Sequence, residues 1–488
     1  MSHISYEEWE PVIGLEIHAQ LKTRSKLFAR SPNHFGDEPN TNIDVIDTGQ
    51  PGALPVLNKE AVEKAVLFGC AIGSEIAHFS KFDRKSYFYP DSPRNFQITQ
   101  LDKPIIIGGK IIADIEGKSK EFTIDRAHLE DDAGMLKHFS EFAGVDYNRA
   151  GVPLIEVVST PCMSSPKDAS AFAMAVKAIM EYLDVSDCNM EEGSFRMDTN
   201  VSVRPRGDQT LRNKVEVKNM NSFSNMEMAI VSEIHRQVRA YTAHPHEDPN
   251  IIIPSETVRF DLEKKETVPM RSKEGAKDYR YFPEPDLPPI ILSKEFIERV
   301  RSEMPELPHE RYERYINKLG LSDYNASILV NDKGLSDYFE AALKICNNAS
   351  SLCNWVTVEF VGRLKDSGIH LHESGILSAH IAKLVNFIDE KKITGRIAKE
   401  VADIMVKVEG KDPELIIREN PNFQAVHDTS AIEPFVDQVL SENPQSIEDF
   451  KAGKDKAFNF LVGQVMKLSK GKASPDVVKD LLMKKINN

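Results

Sequence analysis

The chain has 488 residues with a formal net charge of −14 at pH 7, and 41% of its residues are hydrophobic while 28% are charged. This composition is that of a soluble folded protein, the length suggests about three domains, and the acidic balance argues against a protein that coats nucleic acid or an anionic membrane. No window approaches the roughly 18 uninterrupted apolar residues of a bilayer span, and the first ten residues lack a signal-peptide pattern. We therefore expect a cytoplasmic protein without membrane association.

The chain has a strand-and-turn pattern in its first part and a helical pattern in its second part. Up to about Leu292, short apolar runs alternate with Pro, Gly and Asn, a pattern typical of strands and turns, with helical spacing only in Lys59–Ala71 and Lys167–Leu183. The proline-rich segment 283–289 predicts an extended linker, because proline fixes φ and disfavours helix in the residue before it. Amphipathic helices occupy the remainder. The predicted domains are a strand-rich domain (1–292), a helical domain (293–408) and a helical tail domain (409–488).

Three predicted strands have one apolar and one polar face, because successive side chains of a strand point to opposite sides. The polar faces carry Glu16, His18 and Gln20 in the first, Arg196, Asp198 and Asn200 in the second, and Lys214, Glu216 and Lys218 in the third. Such strands favour an antiparallel sheet whose apolar side is covered by helices. Simple exposure to water explains any single polar face. The recurrence of carboxylates beside His, Asn and Arg on several strands favours a site.

A further acidic group, Glu130-Asp131-Asp132, ends at the turn glycine Gly134. Three successive carboxylates repel one another unless a cation or basic groups neutralise them, and Mg²⁺ prefers such oxygen ligands. An exposed acidic turn is the alternative for this segment alone. No P-loop sequence accompanies it. Any phosphoryl transfer would therefore depend on Mg²⁺ held by carboxylates on the sheet.

The end of the chain differs in charge from the rest. Residues 451–488 contain nine lysines and three aspartates, a net charge of +6, so that residues 1–450 carry −20. A solvated helical face explains any single lysine. Together the lysines mark the part of the chain that would meet a nucleic acid.

Long motifs in these same stretches resemble the B subunit of the tRNA-dependent amidotransferases, nearly end to end. They are Val12–His18, Pro51–Asn58, Lys81–Asp91, Met190–Ser194, Lys218–Phe223, Asp278–Pro283 and Phe460–Met466. The resemblance implies a ligase that forms a C–N bond with glutamine as amido donor. It uses ATP to phosphorylate the side-chain carboxylate of misacylated Glu-tRNA(Gln) or Asp-tRNA(Asn), and ammonia then displaces the phosphate.

The resemblance also implies a fold and a set of site residues. The fold is α+β, an antiparallel-sheet catalytic domain of the glutamine synthetase and guanidino kinase type that binds Mg-ATP, followed by two all-helical domains. The catalytic and Mg²⁺-binding residues carried over by position are Glu16, His18, Glu130, Asp131, Asp198 and Glu216. Lys85 and Arg94 match the family's ammonia route, and Arg196 and Lys218 are candidates for contacting phosphate or nucleotide.

The sequence departs from the family pattern at two of these residues and at one neighbouring position of the acidic turn. Asp131 stands where the family has Glu, Met135 where it has Lys, and Arg94 where it has Lys. Asp131 is shorter by one methylene, so a bridging water could be needed for coordination, and Arg94 keeps the charge but cannot release a proton.

The resemblance further implies partners. The expected assembly is a heterotrimer with an amidase subunit, which makes ammonia from glutamine, and a small third subunit, acting on misacylated tRNA(Gln) or tRNA(Asn). Some family members bind zinc through a Cys pair before the Pro51 motif, but residues 42–47 contain no cysteine, so we predict no zinc site. A non-catalytic tRNA-docking scaffold in the same complex is the alternative, motivated by the basic tail and the departures at the acidic turn.

Overall fold

The computed structural model of the chain describes residues 6–270, 279–408, 410–420, 423, 429–469 and 473–487. Asp278, in one of the motifs above, lies outside the described residues. The chain divides into two compact units, residues 1–310 and 311–488. The first contains a large sheet with helices and the second is helical, which confirms the predicted order of a strand-rich part and a helical part. The division into three domains stays a prediction.

The strands belong to the first unit and form one large sheet and several small ones. Their bounds are β1 (Trp9–Gln20), β2 (Glu75–Ile76), β3 (Phe79–Ser80), β4 (Asp83–Ser86), β5 (Phe96–Thr99), β6 (Ile106–Ile107), β7 (Lys110–Ile115), β8 (Lys118–Asp131), β9 (Met135–His138), β10 (Ala143–Asp146), β11 (Pro153–Ser159), β12 (Phe195–Pro205), β13 (Val215–Met220), β14 (Glu256–Asp261), β15 (Glu266–Pro269), β16 (Phe282–Pro283) and β17 (Ile290–Ile291).

The α-helices are α1 (Lys59–Ala71), α2 (Pro166–Tyr182), α3 (Phe223–Ala243), α4 (Pro249–Ile252), α5 (Lys294–Ser302), α6 (Pro308–Asn317), α7 (Asp323–Val330), α8 (Lys333–Leu343), α9 (Ala349–Asn354), α10 (Val361–Leu364), α11 (Ser378–Asp389), α12 (Gly395–Lys407), α13 (Pro413–Glu419), α14 (Thr429–Glu442), α15 (Pro444–Lys451), α16 (Asp455–Leu468) and α17 (Pro475–Asn487). A π-helical turn covers Trp355–Phe360, and 3₁₀ turns cover Tyr6–Glu8, Lys365–Ser367 and Leu371–Glu373.

The large sheet has the order β15-β14-β13-β12-β1-β11-β8-β6-β2, with β7 also paired to β8. The strands that carry the predicted site pair antiparallel, as expected from their two-faced patterns. Among the described strands the pair β13–β14 is parallel. The crossover through α3 and α4 accounts for this, because parallel strands cannot be joined by a tight hairpin.

The apolar face of the large sheet forms the core of the first unit. In β1, Ile13, Leu15, Ile17 and Ala19 are at most 1% exposed, which confirms the alternation expected for this strand. Helices α1, α2 and α3 cover this face. The predicted helices are also found: α1 has the expected bounds, and α2 begins after Ser165, whose side chain caps it by accepting the N–H of Asp168.

The proline-rich segment 283–289 contains no helix, as the prolines predict, but it is extended only in part, because the chain turns at residues 285–287. Strand pairs connect it to the first unit before and after this turn. Pro283 pairs with Asp83 in β4, and the side chain of Glu284 is buried against Arg84, with 2.6 Å between Nε and Oε2. After the segment, Ile290 pairs with Ser80 in β3. Val300 of α5 joins the core of the first unit. Residues 80–84, far away in sequence, therefore bind this segment to the first unit, although its local pattern predicted a linker.

The second unit consists of short amphipathic helices. Near its end, α14, α16 and α17 share a small apolar core that includes Val436, Leu461, Val465 and Leu482. None of the helices in the described parts of the chain combines the length and the apolar character required to cross a bilayer.

Candidate active site

The register of the large sheet brings four polar side chains into one row across its polar face. His128 on β8 lies opposite Glu156 on β11, Glu156 lies opposite His18 on β1, and His18 lies opposite Arg196 on β12. In the next row Glu16 lies opposite Asp198, and in the one after that Asn200 lies opposite Glu216 on β13. Polar positions that are far apart in sequence therefore face the same space.

His18, His128, Glu130 and Glu156 form the His–Glu cluster. The Nε2 atom of His18 lies 3.4 Å from Glu156 Oε2 and 3.7 Å from Glu130 Oε1. The Nε2 atom of His128 lies 3.3 Å from Glu156 Oε2 and 3.8 Å from Glu130 Oε2. His128 and Glu130 are only 5% and 3% exposed. Two carboxylates are thus held between two imidazoles in a buried place.

In the His–Glu cluster, each imidazole and each carboxylate stabilises the charged form of the other. Burial alone would lower the pKa of His128, but Glu156 and Glu130 outweigh it and raise that pKa to about 9. Burial alone would raise the pKa of Glu156, but His128 and His18 hold it well below its ordinary value. Burial alone would also raise the pKa of Glu130, but the hydrogen bond with His128 and the charges of the two histidines outweigh burial and lower that pKa. The carboxylates therefore stay ionised in a buried place because the neighbouring imidazoles neutralise them.

Three members of the cluster fit a divalent cation. One ligand atom each from His18, Glu130 and Glu156 lies within 4.8 Å of the other two. The two carboxylates supply the oxygen ligands that Mg²⁺ prefers, whereas the imidazole is a ligand that transition-metal ions also accept. Two of these three residues, His18 and Glu130, were predicted from the sequence.

Glu16, Asn200, Asp198, Lys218 and Glu216 form a second group on the same face, the lysine–carboxylate cluster. Lys218 Nζ lies 2.8 Å from Asp198 Oδ2 and 2.9 Å from Glu216 Oε1. Burial alone would lower the pKa of Lys218, but these two carboxylates outweigh it and raise that pKa. Asn200 donates a hydrogen bond to Glu16 at 2.9 Å. The three predicted carboxylates of this cluster are thus paired with a lysine or an amide.

Asp131 contacts β5 and Arg94, whereas its neighbour Glu130 contacts the two histidines. Its Oδ1 accepts the backbone N–H of Ile98 in β5 at 2.8 Å, and its Oδ2 forms an ion pair with Arg94. Burial raises the pKa of Asp131 to about 6, although Arg94 opposes this shift. The next carboxylate, Asp132, accepts from Arg196 at 2.8 Å and from Gln20 at 3.0 Å. Asp131 therefore joins β5 to β8 at the edge of the site.

A cavity of about 340 Å³ lies above this face. Its lining includes eight of the predicted residues: His18, Lys85, Arg94, Glu130, Asp131, Arg196, Asp198 and Lys218. Glu16 and Glu216 lie on the same face of the sheet but do not line the cavity. Lys85 enters beside the ring of Tyr279, with its Nζ 5.0 Å from the ring centre. Burial alone would lower the pKa of Lys85, but Glu130 raises it.

Sequence reasoning did not single out Glu156 or His128 as site residues, and it named Asp132 only within the acidic segment Glu130-Asp131-Asp132. Glu156 stands alone in the apolar strand Pro153–Ser159, and a single carboxylate in such a strand was the signal that could have found it. His128 shares its strand face with Glu130, two positions away, which is the spacing that predicts a common side.

A polar sheet face with buried carboxylates and imidazoles around a cavity defines an enzyme-type site suited to a cation and phosphate groups. Comparison with known proteins gives the family. Residues 11–298 match the family model described as the GatB/GatE catalytic domain, and residues 337–486 match that of the GatB domain. The chain belongs to the family of B subunits of the aspartyl/glutamyl-tRNA(Asn/Gln) amidotransferases.

Full-length relatives support this assignment. The chain is 62% identical over 487 residues to the B subunit of the aspartyl/glutamyl-tRNA(Asn/Gln) amidotransferase from Protochlamydia amoebophila, covering 100% of this chain and 99% of the relative. It is 57% identical over 478 residues to the protein of the same name from Chlamydia pneumoniae, covering 98% of each. The resemblance drawn from the motifs is confirmed.

Proposed function

We propose that the chain acts in a glutamine-dependent ligase that converts Glu-tRNA(Gln) and Asp-tRNA(Asn) into Gln-tRNA(Gln) and Asn-tRNA(Asn). The cavity above the polar face is the proposed place of ATP-dependent amidation. The observation that carries this proposal is the His–Glu cluster, because it offers possible cation ligands, two of which, His18 and Glu130, line the cavity, in a chain of this family. The antiparallel sheet, polar on one face and covered by helices on the other, supports the expected relationship to glutamine synthetase and guanidino kinases.

His18, Glu130 and Glu156 are the proposed ligands of a Mg²⁺ ion. Glu16, Asp198 and Glu216, which pair with Asn200 or Lys218 in this structure, would hold a second ion or the waters around the first. When bound, Mg²⁺ supplies neutralisation of the negative charge on the transferring phosphoryl group. Arg196 and Lys218, both cationic and both lining the cavity, are the proposed contacts of the phosphate oxygens. This chain's side chains thus provide both the carboxylates that would hold the ion and the cations that would contact the phosphate oxygens.

The chemistry requires activation of a carboxylate, which is a poor electrophile. Transfer of the γ-phosphoryl group of ATP to the side-chain carboxylate of the esterified Glu or Asp makes an acyl phosphate. Ammonia then attacks the carbonyl carbon, the C–N bond forms, the C–O bond to phosphate breaks, and inorganic phosphate leaves while the nitrogen gives up one proton to the phosphate or to solvent. Lys85, beside Glu130 and the rings of Tyr279 and Tyr281, is proposed to guide ammonia into the cavity together with Arg94.

Two departures from the family pattern lie against each other in the structure. Arg94 stands in place of a lysine and Asp131 in place of a glutamate, and the two side chains form an ion pair. Arginine is longer than lysine and aspartate is shorter than glutamate, so the combined length of the two side chains is similar to that of a lysine and a glutamate. We propose that this pair shapes the cavity edge and that Asp131 contributes to the site through its charge rather than as a direct metal ligand.

The proposed assembly is a heterotrimer with an amidase subunit and a small third subunit, in the cytoplasm, with misacylated tRNA as the substrate. The amidase subunit hydrolyses glutamine, so ammonia reaches this chain from its partner. These partners are those expected of the family.

The Glu16→Gln variant tests the proposed function. Because Glu16 adjoins Asp198 in register, loss of its charge is expected to abolish tRNA-dependent ATP cleavage by the assembled complex. Glutaminase activity should persist, since it belongs to the partner. Glu10→Gln on the same strand is the matched control, because Glu10 pairs with Arg204 away from the cavity. Unchanged amidation in Glu16→Gln would contradict the site, and absence of Mg²⁺-dependent nucleotide binding would favour the scaffold alternative.

Removal of residues 413–488 tests the role of the basic tail. The deletion is expected to weaken tRNA binding and to lower the dependence of binding on salt, because fewer lysines release counterions from phosphate. Filter binding of tRNA at several salt concentrations measures both effects. Glutaminase turnover with free glutamine, which should not change, reports that the complex still assembles. Equal affinity and equal salt dependence would show that the tail does not contact tRNA.

A further inference from the structure

A cluster of possible metal ligands lies in the second unit and shares no residue with the candidate active site. Asp332, His370 and His372 each place one ligand atom within 4.8 Å of the other two. They come from two segments far apart in sequence, the start of α8 and the 3₁₀ turn Leu371–Glu373. This arrangement does not depend on the proposed function.

Asp332 is held in a fixed orientation. It is the N-cap of α8, and its Oδ1 accepts the backbone N–H of Leu335 at 2.9 Å. A capping carboxylate keeps its position because the helix needs that acceptor. Its other oxygen, Oδ2, faces His370 at 4.0 Å from Nδ1. One oxygen thus serves the helix while the other is directed towards the two imidazoles.

The two histidines are placed on either side of an anchored residue. Leu371 is 2% exposed, and its burial fixes the backbone between them. The ring centres of His370 and His372 lie 5.5 Å apart with 33° between their planes. Side chains of His370, His372 and Asp332 are 66%, 31% and 38% exposed. The ligand atoms are therefore preorganised but open to solvent on one side.

Gly334 gives an independent indication that His372 has a defined place. A Cβ atom at residue 334 would lie 2.6 Å from Nε2 and 2.7 Å from Nδ1 of His372, which is closer than the non-bonded contacts that Cβ atoms make in proteins. Glycine is less favourable in a helix than alanine. Here it lets the imidazole lie directly over the first turn of α8, beside Asp332.

We propose that Asp332, His370 and His372 bind a divalent transition-metal ion such as Zn²⁺. Two imidazoles and a carboxylate are typical zinc ligands, with metal–ligand distances of about 2.0–2.2 Å and ligand atoms about 3.3 Å apart. Small rotations of the exposed side chains bring the atoms to that spacing, and water takes the fourth position. Imidazole nitrogens favour Zn²⁺, Cu²⁺ or Ni²⁺ over Mg²⁺. This site would revise the prediction of no zinc, which rested on missing cysteines.

Zinc content of the full-length chain tests the proposal. After removal of metals with a chelator, the wild type is compared with the double variant His370→Gln/His372→Gln by titration with Zn²⁺. The wild type is expected to bind one more equivalent than the variant, so any other metal site cancels in the difference. With Co²⁺, the visible absorption of a four-coordinate ion should appear in the wild type and be lost in the variant.

Two further variants separate ligation from folding. Asp332→Asn keeps the helix cap, since Asn caps as well as Asp, but should lose the additional equivalent of Zn²⁺. Gly334→Ala favours the helix yet displaces His372, so its Zn²⁺ affinity should fall by about 10- to 100-fold. The control is His34→Gln, because His34 forms an exposed pair with Asp37 at 2.9 Å but belongs to no group of three possible metal ligands among the described residues. Equal Zn²⁺ stoichiometry in the wild type and the double variant would overturn the proposal.

Discussion

Replacing Glu130 by glutamine is expected to lower the rate of tRNA-dependent ATP cleavage and amidation by on the order of 100- to 1,000-fold, the usual effect of removing one preorganised charge from a transition-state site. Glu130 is 3% exposed and contacts both His18 and His128. Glutamine keeps its size but removes its charge, so the proposed metal centre loses a ligand and the two imidazoles lose one of their two neutralising carboxylates. The measurement is release of inorganic phosphate by the reconstituted complex with Glu-tRNA(Gln).

The matched control is Glu121→Gln. It makes the same change on the same strand, β8, but Glu121 is about half exposed and pairs with Lys110. This variant should amidate at the rate of the wild type. Glutaminase activity of the complex should survive in both variants, because the amidase subunit carries it. Amidation by Glu130→Gln within a few-fold of the wild-type rate would remove Glu130 from the proposed metal centre.

The second large effect is expected on stability, from the buried pair of Lys26 and Asp47. Lys26 is fully buried, its Nζ lies 3.2 Å from Asp47 Oδ2, and it also donates to the carbonyl oxygen of Asn42 at 2.7 Å. Burial lowers the pKa of Lys26 although Asp47 opposes this shift. Asp47→Asn leaves a buried ammonium without its counter-charge, so the free energy of unfolding of the first unit should fall by about 3–5 kcal/mol. Urea unfolding of the chain measures this loss.

Asp184→Asn is the control for this prediction. Asp184 pairs with Lys22 at 2.7 Å, but the two side chains are 70% and 60% exposed. An exposed pair contributes about 0–1 kcal/mol, so this variant should unfold close to the wild type. Asparagine also tolerates the left-handed backbone of residue 184, where φ is 51°. Equal losses in the two variants would show that burial of Lys26 does not determine the effect.

Some features of the site could be predicted because they are local. The alternation of apolar and polar residues in β1, β12 and β13 follows from the pleat of a single strand, so the faces of Glu16, His18, Asp198 and Glu216 were correct before any pairing was known. The same holds for α1 and α2, whose spacing and capping residues lie within the segment itself. The long motifs identified the family for a similar reason.

Other features depend on contacts that are distant in sequence. Glu156 enters the site because β11 pairs with both β1 and β8, and a shift of that register by one residue would place it in the core. Asp131 follows Glu130 directly, yet β5 and Arg94 bind it at the cavity edge. The segment 283–289 has the composition of a linker, but Arg84 and β4 bind it to the first unit.

The sequence by itself determined the class of fold, the polar faces of the strands, the family, and the separation of an acidic main part from a basic end. The whole-chain net charge of −14 hides that separation, because the net charge of +6 on residues 451–488 offsets part of the net charge of −20 on residues 1–450. The tertiary structure decided which charges meet. Strand register placed His128, Glu156, His18 and Arg196 in one row, and the turn at Leu371 brought two imidazoles to Asp332. The physical reason is that side-chain direction is a property of each segment, whereas electrostatic neighbours are set by non-local pairing and burial.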